Sequence, residues 1–251
     1  MTQGVHAAVD GALVMIGFGS IGRGVLPLIE RHIGFDRSRF TVIEPWGDFA
    51  HILRDHGIRH LQLVLTPENY AETLRGLFPE GRGMIVNLSV EVESVALMRL
   101  AQEIGILYVD TVVEPWPGHY FDASLSNAER TNYALREKAR ALAAISAGKP
   151  TAVSSCGANP GMVSWLLKEA LLRLADDTGV AADPKTREDW SALMRNPGVK
   201  GIHIAERDTQ VSSRPKPRGV FVNTWSVDGF LSESFQPAEL AKIVLSVAFA
   251  A

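Results

Sequence analysis

The run Gly17-Phe18-Gly19-Ser20-Ile21-Gly22 constrains this chain more than any other feature, because it is a G-x-G-x-x-G pattern set directly after the apolar stretch Ala12-Leu13-Val14-Met15-Ile16. Each glycine has its own task in such a pattern. Gly17 permits a tight turn off a strand, Gly19 removes the side chain that would keep the backbone from a pyrophosphate, and Gly22 lets the next helix pack close to the sheet. The first turn of that helix then offers unpaired N–H groups and the positive end of its dipole to phosphates. The pattern alone is a weak signal, so its surroundings decide. An acid, Glu44, ends the next β-rich run Thr41-Val42-Ile43, 22 residues beyond Gly22. A carboxylate there accepts hydrogen bonds from the adenosine ribose hydroxyls and repels a 2′-phosphate. Pro45 and Trp46 follow it, with no adjacent cation. The reading is a unit that holds NAD in preference to NADP, with Gly17, Gly19, Ser20, Ile21, Gly22 and Glu44 at the cofactor. The bland alternative is a glycine turn in a Rossmann-like domain that binds no nucleotide.

The rest of the chain repeats the alternation. Strand-like runs are expected at 12–16, 39–43, 60–65, 84–88, 106–111 and 150–154, with helical stretches near 20–32, 47–56, 67–78, 91–104, 123–147 and 161–177. Strands this continuous in Val, Ile and Leu are buried on both faces, as in a parallel sheet covered by helices. The expected fold class is α/β, a doubly wound parallel Rossmann sheet over residues 1–178. After that the character changes. Turn signals surround a short helix at 187–194, and two strand candidates, 201–206 and 220–227, flank the basic loop Arg214-Pro215-Lys216-Pro217-Arg218. This reads as the beginning of a second, strand-containing domain over 179–251. Residues 237–251 have helical periodicity, with Leu240, Ile243, Val244, Val247 and Ala248 on one face, and no capping residue ends them. The expectation is an incomplete chain.

Composition closes several routes. At 251 residues, with 46% hydrophobic and 21% charged residues, the chain can bury a core and is not disordered. A formal net charge of −3 gives no basic balance to hold a polyanion, so nucleic acid is not expected as a partner. The single Cys156 cannot close an intrachain disulfide, and no Cys/His cluster has metal-ligand spacing. No leader or membrane segment is visible, so no membrane partner and a cytoplasmic location are expected.

In an open α/β sheet, ligands sit outside the carboxyl ends of the strands where the strand order reverses. That points to Asn87, Ser89 and Glu91 after the fourth run, Asp110, Thr111 and Glu114 after the fifth, and Ser154 to Asn159 after the sixth. Each has a bland reading. Asn87 and Ser89 could cap the next helix, Asp110 could be a satisfied buried acid, and Glu114 could be a solvated loop acid. Further on, Glu206, Asp208, Trp225, Asp228 and Glu233 combine carboxylates with a large aromatic, which suits a cationic amine. A core Trp among solvated acids is the alternative. Arg207, Arg214, Lys216 and Arg218 could hold a carboxylate substrate instead.

The runs VMIGFGSIGRGVLPLI, LYVDTVVEPWPGHY, SSCGANPGMVSW, HIAERDTQ and VFVNTWSVDGFLSE together resemble the bacterial homospermidine synthases, within the saccharopine dehydrogenase-like group. The resemblance covers essentially the whole chain. It implies a Rossmann domain followed by an α+β substrate and dimerisation domain, a homodimer, and NAD kept as a prosthetic group. It implies a transferase reaction in polyamine biosynthesis, joining two putrescine molecules to homospermidine with release of ammonia; spermidine is a further candidate substrate. Trp225, Glu206 and Glu233 are then catalytic, Glu114, Asn159 and Glu91 bind substrate, and Asn87, Ser89 and Thr111 join the cofactor set. Members of the group are longer, so the second domain is expected to be incomplete here. The competing readings are a dehydrogenase for a saccharopine-like or carboxylated polyamine adduct, and a truncated NAD-binding protein without catalysis.

Overall fold

A computed structural model describes residues 4–205, 207, 209, 213–220, 222 and 226–235. The elements in chain order are β1 (Ala7–Ala8), β2 (Ala12–Ile16), α1 (Ser20–His32), β3 (Ile33–Gly34), β4 (Phe40–Ile43), α2 (Ala50–Asp55), β5 (Arg59–Leu61) and α3 (Tyr70–Leu77). They continue with β6 (Gly83–Asn87), α4 (Ser94–Ile104), β7 (Leu107–Asp110), α5 (Asn132–Ala144), β8 (Ala152–Val153), α6 (Met162–Thr178), α7 (Arg187–Arg195) and α8 (Val227–Phe235).

Six strands form one parallel sheet in the order β5-β4-β2-β6-β7-β8. All five residues of β2 are buried. Successive side chains of a strand point to opposite faces, and β2 shows both being filled. Ala12, Val14 and Ile16 join Leu74 of α3, Val95 and Met98 of α4 and Leu142 of α5 in one core. Leu13 and Met15 join Phe40 and Val42 of β4, Leu26 of α1 and Leu53 of α2 in the other. This two-sided burial is why the strands read as continuous apolar runs rather than alternating ones.

The expected elements of the Rossmann region are all present, several of them shorter at their ends. The run expected to be a helix over 123–147 is ordered as α5 only from Asn132. A small parallel pair, β1 with β3, was not expected.

The chain divides into two compact units. One holds the residues up to Cys156 together with α8, and the other runs from Gly157 to Val222. The second unit has its own small core of Leu171 and Ala175 from α6 with Leu193 from α7. The strand expected at 201–206 is corrected over its described residues, and the one expected at 220–227 is described only at 220, 222, 226 and 227. Residues 201–205 are irregular, and Val227 opens helix α8 rather than ending a strand. Their β-rich composition has no described neighbouring strand to pair with, and β propensity depends on such pairing. The apolar segment 237–251 lies outside the described residues. Among the described residues, no helix is long and apolar enough to cross a membrane.

Phe40 is fully buried, whereas Leu28 on the outer side of α1 is 51% exposed. Phe40→Ala should therefore lower unfolding free energy by about 3–5 kcal/mol, and Leu28→Ala should stay within about 0.5 kcal/mol. Urea titration followed by circular dichroism measures both.

Candidate dinucleotide site

The strand register aligns four residues in one row across the sheet: Ile43 pairs with Ile16, Ile16 with Asn87, and Asn87 with Asp110. The residues that follow this row, among them Gly17, Glu44, Leu88 and Thr111, therefore leave the sheet side by side. The chain departs from β2 toward β4 and β5, then returns to pair β6 on the other side of β2. That reversal is the switch point at which open α/β sheets leave a crevice.

The glycine loop fills this position as its sequence requires. Gly17 has φ +90°, and a Cβ there would lie 2.8 Å from the backbone of Leu88 and Ser89. Gly22 is pressed against the same turn, since a Cβ on it would meet the Gly17 carbonyl oxygen at 2.6 Å. Gly19 differs: a Cβ would meet nothing within 4 Å, so its backbone faces open space. Gly19 also precedes α1, whose N-terminus has no side-chain cap and no acid in its first turn. Ser20 and Ile21 are exposed beside it. An uncapped helix start with no acid suits an anion.

Glu44 is tied to this loop. Its Oε2 accepts the Phe18 N–H at 2.6 Å and its Oε1 accepts the Trp46 N–H at 3.2 Å. The acid is thus held by backbone donors next to the glycine loop. Trp46 is 70% exposed beside it, and the Arg23 guanidinium stacks 3.7 Å over the Phe49 ring while its Nε donates to the Gly19 carbonyl. Trp46 and Arg23 were not singled out from the sequence. The position of Trp46 two residues after the acid was the available signal.

On the other side of the switch, Asn87 and Ser89 do not cap the next helix, which starts at Ser94 with Glu93 as its N-cap. Asn87 is buried; its Oδ1 accepts the Ser89 hydroxyl at 2.6 Å, and its Nδ2 donates to the Tyr108 hydroxyl at 3.2 Å. That hydroxyl donates to Asp110 Oδ2 at 2.9 Å, and Asp110 Oδ1 accepts the Ser154 hydroxyl at 2.8 Å and the Ser155 N–H at 2.7 Å. Asp110 is thus a buried acid with three donors. Burial pushes its carboxyl above the ordinary range, against the pull of those donors. Burial, with the neighbouring Asp110, likewise raises the Tyr108 hydroxyl. Tyr108 was not singled out from the sequence, although Tyr108 and Asp110 share a strand face by their spacing; Ser154 and Ser155 open the run expected at the crevice after the sixth strand.

Thr111 is half-buried immediately after β7. Glu114 is half-buried too, its N–H donating to the Ser94 hydroxyl at 3.0 Å and its Oε2 accepting the Glu91 N–H over a long 3.4 Å. Glu91 has φ +61°. The structure therefore brings Glu91 and Glu114 together at the crevice rim. Asn159 belongs to the second unit, exposed in the turn before α6. Glu206 and Trp225 lie outside the described residues, and Glu233 falls on α8, where only the backbone is described. A separate cleft of about 510 Å³ opens among Glu93, Trp116, His119, Asp122 and Lys138, and no expected site residue lines it.

Sheet order, glycine loop and ribose acid together define a dinucleotide-binding α/β protein. A family model described as the saccharopine dehydrogenase NADP binding domain matches residues 13–153. The chain belongs to that family. It is 56% identical over 239 residues to a homospermidine synthase of Blastochloris viridis and 55% identical over 241 residues to one of Mesorhizobium japonicum. Each alignment takes in 94% of this chain and 50% of the relative, so the chain spans about half the length of the curated relatives it matches. Among solved structures, the homospermidine synthase of Legionella pneumophila in complex with NAD is similar, with a TM-score of 0.76 and 33% identity over 91% of this chain and 47% of that one.

Two outcomes follow from this geometry. Gly19→Ala should leave the unfolding midpoint unchanged, since the methyl meets nothing, yet weaken dinucleotide binding by roughly tenfold or more, about 1.4 kcal/mol, in calorimetric titration. Asp110 holds its proton more tightly folded than unfolded, so the stability it contributes is complete below the ordinary carboxylate range and is lost as pH rises through its raised value. From about pH 4 to about pH 7, the wild type should lose stability relative to Asp110→Asn in urea unfolding; parallel curves would refute the raised value.

Proposed function

We propose that this chain carries the NAD-holding part of a homospermidine synthase and takes putrescine as its substrate. The observation that carries the cofactor half of the reading is Glu44, bonded to the glycine loop beside the open backbone of Gly19. The open space at Gly19 fits a pyrophosphate, and the remaining lone pairs of Glu44 fit ribose hydroxyls. The same carboxylate disfavours a 2′-phosphate, which supports NAD although the matching family model is described by NADP. The diamine half of the reading is supported by the 55–56% identity to curated homospermidine synthases.

When bound, the nicotinamide supplies a place for a hydride to be taken from one putrescine and later returned. Loss of a hydride from the amine-bearing carbon and of a proton from its nitrogen would turn putrescine into an imine. The amine of a second putrescine adds to the imine carbon, ammonia leaves, and the returned hydride with a proton completes homospermidine. Two diamines thus yield one triamine and one ammonia, with no net redox change.

In this reading Gly17, Gly19, Ser20, Ile21 and Gly22 hold the phosphates, Glu44 the ribose, and Asn87, Ser89 and Thr111 edge the opposite half of the crevice. Trp225 faces the substrate cation with its ring, and Glu206 and Glu233 bind ammonium groups and move protons during the exchange. Glu114, Asn159 and Glu91 bind the diamine. These roles rest on the resemblance. Residues 1–178 serve the cofactor and 179–251 begin the substrate and dimerisation domain, a division by function set beside the division by packing after Cys156.

The test is incubation with putrescine and a catalytic amount of NAD, followed by mass spectrometry and ammonia assay. Homospermidine and ammonia in equal amounts without accumulating NADH are expected, and Trp225→Ala should abolish product while NAD still binds. Accumulating NADH would favour a dehydrogenase, and bound NAD without product would favour a binding chain that does not turn over. Glu44→Ser should narrow the preference for NAD over NADP by about tenfold, or about 1.4 kcal/mol, in competition titration.

A further inference from the structure

Asp110 is 1% exposed at the carboxyl end of β7, and its side chain accepts hydrogen bonds from Tyr108, Ser154 and Ser155. Oδ1 accepts from Ser154 and Ser155, and its backbone carbonyl accepts the Cys156 N–H at 2.9 Å, so the three residues leaving β8 are all fastened to this one acid. Ser155 has φ +58°, a left-handed conformation that a residue with a Cβ adopts only when its surroundings impose it. The Asp110 carboxylate accepts the N–H of that residue at 2.7 Å. In the other direction, Oδ2 accepts from Tyr108, whose hydroxyl accepts from Asn87, whose Oδ1 accepts both the hydroxyl and the N–H of Ser89. The chain Ser89–Asn87–Tyr108–Asp110–Ser154/Ser155 thus runs without a break across the carboxyl ends of β6, β7 and β8.

We propose that Asp110 is a positioning residue for one half of the dinucleotide crevice, the half over β6, β7 and β8, which it presets by clamping Ser154, Ser155 and Cys156 and by ordering Ser89 through Tyr108 and Asn87. The proposal rests on the dinucleotide reading above. Doubly wound sheets of this order bind one mononucleotide on each side of the switch point. Glu44 and Trp46 stand on the β4 side, so the other side, where Asp110 sits, takes the nicotinamide nucleotide. Residues that build a crevice edge without touching the ligand act through the geometry they hold.

The two-sided layout supplies a readout that a general loss of stability would not move. Calorimetric titration of the whole chain with NAD and with ADP-ribose, which lacks the nicotinamide, separates the halves. Asp110→Ala should weaken NAD about tenfold, about 1.4 kcal/mol, while ADP-ribose changes less than about twofold. Adding Ser155→Gly to that variant should restore at least half of the lost NAD affinity on a logarithmic scale, because glycine takes the left-handed conformation without a clamp. Should Asp110→Ala not fold, Tyr108→Phe cuts the chain at its centre and should weaken NAD, relative to ADP-ribose, by about threefold, about 0.65 kcal/mol. Equal loss of both ligands, loss of neither, or no rescue by Ser155→Gly would overturn the proposal. A wild-type chain that binds neither ligand would instead refute the dinucleotide reading, and the proposal with it.

Discussion

Everything at the crevice depends on the pairing of β2 with β6. β2 is the strand from which the chain leaves in one direction and to which it returns from the other, so the connections on its two sides diverge and leave its carboxyl end uncovered. Register then sets what faces the opening. Pairing Ile16 with Ile43 on one side and Asn87 on the other starts the glycine turn, the Glu44 loop and the Ser89 loop at one level. A slip by one residue would turn every β2 side chain to the wrong core. Because both cores are filled, by Val14 and Ile16 on one face and Leu13 and Met15 on the other, that slip is penalised twice.

The two sides of the switch are built by different means. On the β4 side, backbone donors do the holding: Phe18 and Trp46 fix the Glu44 carboxylate, and the glycine loop needs no side chain at all. On the β6–β8 side, buried side chains form a polar network in which Asn87, Tyr108, Asp110, Ser89, Ser154 and Ser155 satisfy one another. A buried acid with three donors is tolerable where one with none would not be. The first side can bind a repeated feature, phosphate and ribose, with little investment in sequence. The second joins side chains at the ends of three strands, and these depend on each other.

The Rossmann half of the fold was legible because its physics is local. Continuous apolar runs, glycines at fixed offsets and an acid at a strand end each report on the few residues around them. The homospermidine synthase resemblance was carried the same way, by short strings. The strand expectation at 201–206 failed over 201–205 for the opposite reason. Ile202 and Ile204 express a preference for a pleated surface that exists only if a neighbouring strand supplies it, and 201–205 are irregular; Val227, where the other expected strand was to end, begins a helix.

The sequence by itself determined the class of fold, the glycine loop after β2 and the acid beside it, because a glycine's missing side chain and an acid's charge keep their meaning wherever the chain places them. Tertiary structure alone decided what Asn87, Ser89 and Asp110 are bonded to. By spacing, the first two could have capped a helix and the third could have been a satisfied buried acid or a site residue. The helix starts at Ser94 instead, and Asp110 meets Ser154 and Ser155 from more than forty residues away. A hydrogen bond between residues so far apart leaves no periodic trace in sequence. Only the alignment of β6, β7 and β8 brings its partners within reach.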